Sequence, residues 1–299
     1  MQGLLLIDKP EGITSFGAVA KVKWLCSTKR VGHTGTLDPM ATGVLPVFIG
    51  RATVLSGYLL GADKEYTARV RLGITTDTLD ITGAVLDSCE VNVSEGQLLK
   101  AAESFKGEID QVPPMYSAIK KDGKKLYELA REGKEIERQS RRVTVKELEI
   151  TDFDGVEFTM RVLCSKGTYI RSLADDLGKA LGTGAVLTKL RRTKTAGFTL
   201  DNCISLESLT PETAQSFLIS EEKTVEHFPI VAVSEKQAVR FTNGGVLALS
   251  RLHNINTPNN GDIYRVKYND RFLGLGRVDI PTGSLKIECL VNFMNENKG

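Results

Sequence analysis

Two stretches of the chain alternate regularly between apolar and polar side chains, which is the pattern of a half-buried β-strand. They are residues 66–72 and residues 156–164. Other stretches carry helical spacing: one helix is predicted to begin near residues 14–15, one at Ser94, and one to cover residues 170–181. Because helices and strands do not alternate regularly, the chain is predicted to fold as α+β, with a mixed, largely antiparallel sheet and flanking helices.

The C-terminal quarter of the chain differs from the rest in its predicted secondary structure. Short strands separated by turns are predicted at residues 230–233, 246–249, 263–268, 272–278 and 285–291. This pattern predicts a small, separate β-barrel domain over residues 229–299, following a larger domain over residues 1–228.

Composition excludes several classes of protein. Of the 299 residues, 41% are hydrophobic and 25% are charged, as in ordinary globular proteins. No apolar run approaches the ~20 residues that span a bilayer, and the first residues lack the basic lead of a signal peptide. We therefore expect a cytoplasmic protein that does not bind membranes. Five scattered cysteines, three histidines and no glycine-rich phosphate loop predict no metal site and no cofactor.

Residues 32–43 place a single carboxylate in a run of glycines and threonines. The segment is too polar and too rich in glycine for a helix interior, and it lacks strand alternation, so it is predicted to be a loop. Pro39 restricts Asp38 to extended conformations, which would present its carboxylate at a set angle. Asp-Pro is also a common start of a turn, and local chemistry alone favours that interpretation over an active site.

Residues 120–147 form the most basic long segment, with ten lysines and arginines against six acidic residues. A solvated helix of mixed charge is the commoner explanation of such a segment. A second explanation is a basic arm, covering about residues 113–146, that clamps a phosphate backbone. A shorter basic cluster without acidic residues follows at residues 189–194.

Residues 9–15 and the stretch from Gly32 to Pro39 form two neighbouring motifs. Further blocks follow at residues 64–66, 71–73, 76–80, 113–120 and 165–173. With these blocks in this order, the chain resembles the TruB family of tRNA pseudouridine synthases. This resemblance implies a pseudouridine synthase catalytic domain over residues 1–228. The C-terminal domain looks like the RNA-binding PUA module that bacterial members carry.

The resemblance implies an activity. The family isomerises uridine 55 in the T arm of tRNA to pseudouridine, a reaction that requires no cofactor, metal or redox partner. Asp38 matches the family's catalytic nucleophile, and a carboxylate is a competent nucleophile and leaving group. The sequence leaves open whether Asp38 attacks the ring or the sugar, or instead stabilises or deprotonates an intermediate. Arg171 matches the position of its partner, since an Arg–carboxylate pair would hold Asp38 ionised and oriented. Tyr66 matches the catalytic position that stacks on the base, and its hydroxyl could also move a proton.

Five further residues are substrate-binding candidates through the same resemblance. Tyr169 and Leu190 match pocket positions that pack against the base. His33 matches a position that meets the RNA while the target nucleotide is flipped out of its stack. Lys9 would shape or charge the edge of the site. Asp80 is the last residue of the block at residues 76–80 that matches the family. Each of these would otherwise be interpreted as a core or surface residue.

Three other functions could use the same residues. A non-catalytic tRNA-binding or folding chaperone would use the same surface but would not require Asp38 in an intact motif. A glycoside hydrolase would need a second carboxyl group near the first, for which Asp80 is the candidate. A plain β-rich structural domain would not explain the ordered blocks. We expect a monomer that acts on the T stem-loop of tRNA and has no obligate protein partner.

Overall fold

The structure, a computed structural model, describes residues 1–255 and 257–294. Fourteen strands precede residue 229: β1 Gly3–Lys9, β2 Val31–His33, β3 Ala41–Ile49, β4 Lys64–Leu72, β5 Ile74–Thr76, β6 Val85–Ser88, β7 Gly107–Gln111, β8 Lys120–Lys121, β9 Lys124–Lys125, β10 Arg141–Thr151, β11 Glu157–Cys164, β12 Ala185–Thr195, β13 Phe198–Thr199 and β14 Ile204–Ser205. Five follow it within the described residues: β15 Ile230–Ala232, β16 Leu247–Ala248, β17 Ile263–Tyr268, β18 Arg271–Asp279 and β19 Ser284–Leu290.

Seven α-helices lie among the described residues: α1 Ser15–Leu25, α2 Ser56–Leu60, α3 Glu95–Glu103, α4 Leu126–Arg131, α5 Ile170–Ala180, α6 Pro211–Ser216 and α7 Glu235–Thr242. The three helices predicted from sequence are confirmed. Thr14 caps α1 by accepting from the backbone N–H of Gly17, and Ser94 forms the expected capping box with Gln97 at the start of α3.

A ten-stranded sheet carries the N-terminal body. Its strands lie in the order β14-β1-β3-β12-β4-β11-β10-β7, with β13 paired to β12 and β2 paired to β3. Only the β1–β14 and β3–β12 pairs of this sheet are parallel. The predicted α+β fold with a largely antiparallel sheet is therefore confirmed. The two alternating stretches are the neighbouring strands β4 and β11.

Both faces of this sheet are buried at its centre, which explains the continuous apolar run in β1. Leu5 and Ile7 join the core beneath α1 and α5, whereas Leu4 and Leu6 join a cluster on the opposite face. That second cluster includes Phe272 and other residues from the C-terminal part of the chain. Burial of aliphatic side chains on both faces fixes β1 as a central strand.

The C-terminal sheet has five strands in the order β15-β17-β18-β19-β16. All five strands predicted beyond residue 229 are present, within one or two residues at most ends. Close packing explains the glycines of β18, because a Cβ at Gly274 would lie 2.2 Å from the carbonyl oxygen of Cys289. Residues 256 and 295–299 of the predicted C-terminal domain lie outside the described residues.

Two local predictions are wrong. The loop predicted over residues 32–43 covers only residues 34–40, because β2 continues to His33 and β3 begins at Ala41. The solvated helix considered for residues 120–147 is also absent: a short hairpin of β8 and β9 leads into α4, and β10 starts at residue 141. Pairing with neighbouring strands overrode local composition in both places.

Candidate active site

The loop that carries Asp38 is fixed on three sides. The hydroxyl of Ser15, at the start of α1, accepts from the N–H of Leu37 at 2.8 Å and donates to its carbonyl at 3.0 Å. The Lys9 ammonium donates to the carbonyls of Pro10, Ile13 and Pro39 at 2.8, 2.7 and 3.3 Å. These bonds join β1, α1 and the loop, so the Asp38 backbone has little freedom.

The backbone at Asp38 also forms the turn that its Asp-Pro sequence favours. The N–H of Ala41 donates to the carbonyl of Asp38 at 3.0 Å, as in a β-turn. The turn and a functional carboxylate are therefore compatible, because the turn holds the side chain in place.

Arg171 is the ionic partner of Asp38. Its Nε lies 2.9 Å from Oδ2 of Asp38, at the first turn of α5. The other guanidinium nitrogens donate to the carbonyls of Thr78 and Tyr116 at 2.8 and 2.7 Å. Only 5% of the Arg171 side chain is exposed, against 34% of the Asp38 side chain. Carbonyl contacts thus aim a buried cation at a carboxylate that still reaches the cavity.

Asp80 lies behind Arg171. Its Oδ2 is 3.6 Å from Nη1 of Arg171, while its Oδ1 accepts from the Thr78 hydroxyl and from the N–H and hydroxyl of Thr82. Asp80 does not line the cavity, so the prediction that it contacts substrate is not supported by its position. Its contacts suit a residue that orients Arg171.

Opposing influences act on the Asp38 carboxyl. Burial raises its pKa above the ordinary value, and the nearby Asp80 carboxylate acts in the same direction. The Arg171 guanidinium and, more weakly, Lys9 lower the pKa. The net direction is upward, which is common for carboxyl groups placed to react.

Tyr66 and Leu190 form one wall of the cavity. They lie on the adjacent strands β4 and β12, and each is 7% exposed. Burial raises the pKa of the Tyr66 phenol. An aromatic ring beside a branched aliphatic side chain makes an apolar slot for a flat ring.

Tyr169 closes the cavity from the segment before α5. Its backbone N–H donates to Gln111 Oε1 at 2.7 Å, and its carbonyl accepts from Gln111 Nε2 at 3.1 Å. These two bonds tie the segment to the edge strand β7 and fix the Tyr169 backbone. Tyr169 lines the cavity, and its packing against the base stays a prediction.

His33 and Lys9 lie outside the cavity lining. His33 ends β2, its Nδ1 is buried without a hydrogen bond, and burial lowers its pKa. Lys9 is fully buried and is surrounded by the carbonyls described above. Burial lowers the Lys9 pKa to about 8. The position of Lys9 supports a role in holding the loop, whereas its predicted contact with substrate stays a prediction.

Several residues that line the cavity were not predicted from the sequence, above all Arg192. The cavity has a volume of about 270 Å³, and the missed side chains that line it are Lys64, Ser117, Ala118 and Arg192. Strand alternation divides the basic cluster at residues 189–194 between the two faces of β12. Arg192 shares its inward face with Leu190, and this two-residue spacing is the signal that could have identified it.

The arrangement can hold a planar ring between apolar side chains, with one carboxylate at its edge. Within residues 1–255 and 257–294, no group of His, Cys, Asp and Glu side chains converges as metal ligands would. Asp80 does not reach the cavity, so the second acid that a glycoside hydrolase requires is not supplied by that residue. Among the described helices, none combines the length and apolar character needed to cross a bilayer.

Family models match most of the N-terminal body. One, described as the TruB family pseudouridylate synthase N-terminal domain, matches residues 23–170. Another, described as the tRNA pseudouridylate synthase B C-terminal domain, matches residues 171–225. The two matches meet at Arg171 and together contain Asp38, Tyr66 and Arg192.

Similar proteins extend the match over nearly the whole chain. A tRNA pseudouridine synthase B of Chromobacterium violaceum is 49% identical over 247 residues, covering 82% of this chain and 81% of that protein. One from an Azoarcus species is 45% identical over 295 residues, covering 97% and 95%. A chain in a crystal structure of a Cbf5-Nop10-Gar1 complex is 29% identical, with a TM-score of 0.73, covering 97% of this chain and 85% of that one.

Proposed function

This chain belongs to the TruB family of pseudouridine synthases, and on that premise we propose that it isomerises uridine 55 in the T arm of tRNA to pseudouridine. The observation that carries the proposal is the Asp38 carboxylate at the edge of a slot lined by Tyr66 and Leu190 and paired with Arg171 at 2.9 Å. Relatives named tRNA pseudouridine synthase B support the substrate class.

The cavity residues suit the steps of this isomerisation. The uracil ring packs against the wall formed by Tyr66 and Leu190, and Tyr169 closes the slot. The Asp38 carboxylate bonds to C1′ as the bond between N1 and C1′ breaks, and the base turns. A bond then forms between C5 and C1′ as the bond from Asp38 to C1′ breaks, the C5 proton passes to solvent, and N1 takes up a proton. Arg171 keeps the carboxylate ionised and oriented throughout, which a nucleophile in a buried site requires.

RNA contacts outside the cavity must offset the cost of flipping the base, which is a few kcal/mol. We assign this role to a basic arm over about residues 113–146 and to a PUA-like domain over residues 229–299, with the catalytic domain over residues 1–228. The arm exposes lysines on the β8–β9 hairpin, as a phosphate-binding segment would. His33 would meet the RNA near the flipped nucleotide.

We further propose a cytoplasmic monomer that needs no obligate protein partner. The cytoplasm is where a bacterial tRNA substrate would be found.

Tritium release from tRNA labelled at C5 of uridine tests the proposed function. The purified chain, without added cofactor, should release one equivalent of tritium per tRNA, and no tritium from a tRNA that carries cytidine at position 55. Release that persists with cytidine 55 would contradict the assigned site. Binding of tRNA without any release would support the chaperone alternative instead.

A further inference from the structure

Arg192 is a fully buried cation at the wall of the cavity. Its Nε donates to the carbonyl of Val44 at 2.7 Å, and its Nη2 donates to the carbonyl of Gly35 at 3.0 Å. One guanidinium thereby joins β12, β3 and the loop that carries Asp38. A buried charge held by neutral carbonyls is costly, so its retention calls for an explanation.

One glycine makes room for the backbone of Arg192 and another for its side chain. A Cβ at Gly43 would lie 2.2 Å from the backbone carbonyl oxygen of Arg192, and one at Gly35 would lie 3.3 Å from its Nη1. Both glycines have positive φ angles, +105° and +79°. Gly43 thus lets β12 approach β3, and Gly35 leaves room in the loop for the guanidinium.

The Arg192 side chain lies beside Tyr66 at the cavity. Arg192 and Tyr66 are direct partners across the antiparallel β12–β4 pair, so their side chains lie on one face. Nη1 is buried and has no hydrogen-bond partner among the described residues. The Tyr66 hydroxyl is close enough to the guanidinium for the positive charge to lower the pKa of the phenol, although burial outweighs this effect.

Other charged or titratable groups also face the Tyr66 phenol. Asp38 approaches from the loop, Cys164 from β11, and Lys64 from the same strand. Asp38 and Cys164 raise the pKa of the phenol, so Arg192 is the cation that opposes them. The phenol therefore stays protonated at neutral pH.

We propose that Arg192 is a positioning residue that makes Tyr66 a hydrogen-bond donor to the uracil. A guanidinium has only donors, so in the complex with substrate Nη1 donates to the Tyr66 oxygen, and the Tyr66 O–H is left free to point into the cavity. This inference rests on the proposed function. When the N1–C1′ bond breaks, its electron pair stays on the uracil, and the charge spreads to the carbonyl oxygens. The Tyr66 O–H stabilises that charge, keeps its proton, and the pair then forms the C5–C1′ bond.

A double-mutant cycle tests whether Arg192 acts through Tyr66. The single-turnover rate of tritium release is measured for the native chain, Tyr66→Phe, Arg192→Met and the double variant. We expect Tyr66→Phe to lose about 100-fold, in the range found for removing one such donor. Arg192→Met should cost about tenfold in the native background but less than about threefold in the Tyr66→Phe background. The proposal would be overturned if the double variant lost activity by the product of the two single-variant factors.

Site-specific 3-fluorotyrosine at position 66 gives a second test that leaves Arg192 and the fold intact. A donor must be protonated, so activity should fall as pH rises through the pKa of the phenol. Fluorination lowers that pKa and should therefore move the loss of activity to lower pH. Arg192→Lys keeps the positive charge and should leave the pH of that loss unchanged. 3-Fluorotyrosine at position 58, outside the cavity, should not change the pH at which activity is lost.

The outcomes separate this inference from the proposed function. If activity rises instead of falling through the pKa of the phenol, Tyr66 acts as a base and the inference is wrong while the function stands. If the native chain releases no tritium from tRNA, the proposed function itself fails.

Discussion

Asp38 carries its charge in surroundings that oppose it. Burial and Asp80 raise the pKa of its carboxyl, and the ion pair with Arg171 only partly offsets them. A nucleophile of this kind is maintained at a cost to stability, a common feature of active sites. The cost is measurable because it depends on pH.

Replacing Asp38 by Asn should stabilise the fold at neutral pH. A carboxyl whose folded pKa is raised destabilises the fold once pH exceeds its unfolded pKa, and the penalty disappears below that pH. We expect Asp38→Asn to melt about 2 °C above the native chain at pH 7, with the gap closing towards pH 3.

Asp154→Asn provides a matched control of opposite sign. Backbone hydrogen bonds from Glu157 and Val156 lower the pKa of the Asp154 carboxyl. Its ionised form therefore contributes stability above its unfolded pKa, and that contribution is lost as pH falls. The Asp154→Asn variant should not melt above the native chain at pH 7. Equal shifts in both variants would contradict the assignment of the Asp38 penalty to burial.

At the scale of elements, the parallel pair of β3 and β12 brings the site together. Gly43 lies opposite Arg192 in that pair, where the two backbones approach too closely for any side chain. The glycine-rich stretch that identifies the chain is therefore half strand: residues 34–40 present Asp38, and Gly43 admits β12.

Gly43→Ala should destabilise the fold by about 3 kcal/mol or more, because of its positive φ and its contact with backbone atoms. Gly96→Ala in α3 is the matched control. A Cβ there meets nothing within 4 Å, so the change should stabilise by about 0.5–1 kcal/mol. Chemical denaturation measures both. A Gly43→Ala variant as stable as the native chain would refute the close approach of β3 and β12.

The β8–β9 hairpin should contribute to tRNA binding through phosphate contacts. Lys120 and Lys121 are exposed on β8, and Lys100 is exposed on α3. Each of Lys120→Ala and Lys121→Ala should reduce the slope of log affinity against log salt by about 0.7–0.9. Lys100→Ala should leave the slope unchanged. If all three variants keep the native slope, the arm does not clamp the RNA backbone.

At the scale of the molecule, the C-terminal sheet is fixed to the catalytic body by a shared core. Leu4, Phe48 and Leu55 from the N-terminal body pack with Phe272 and Leu275 of β18. This cluster lies on the opposite face of the large sheet from Tyr66 and Leu190, which belong to the other core cluster. RNA held by the C-terminal sheet would thus have a set position relative to the cavity.

Much of this molecule could be predicted from sequence because local signals and tertiary contacts agree. Alternation located β4 and β11, and a capping box located α3. The position of Arg192 at the cavity was not predicted because its neighbours in the chain are also basic. The pairing of β12 with β4 shows that Arg192 faces inward. The solvated helix considered for residues 120–147 was wrong because basic composition alone does not show that β8 and β9 pair as a hairpin.

The most direct test of the central claim, that Asp38 is the catalytic nucleophile, is single-turnover tritium release by the Asp38→Asn variant. Asparagine keeps the shape and can still accept from Arg171, but it removes the nucleophilic charge. The variant should bind tRNA with affinity close to native and melt at or above the native temperature, yet release no tritium. Release at a rate within about tenfold of native, from a folded variant that binds tRNA, would contradict the account.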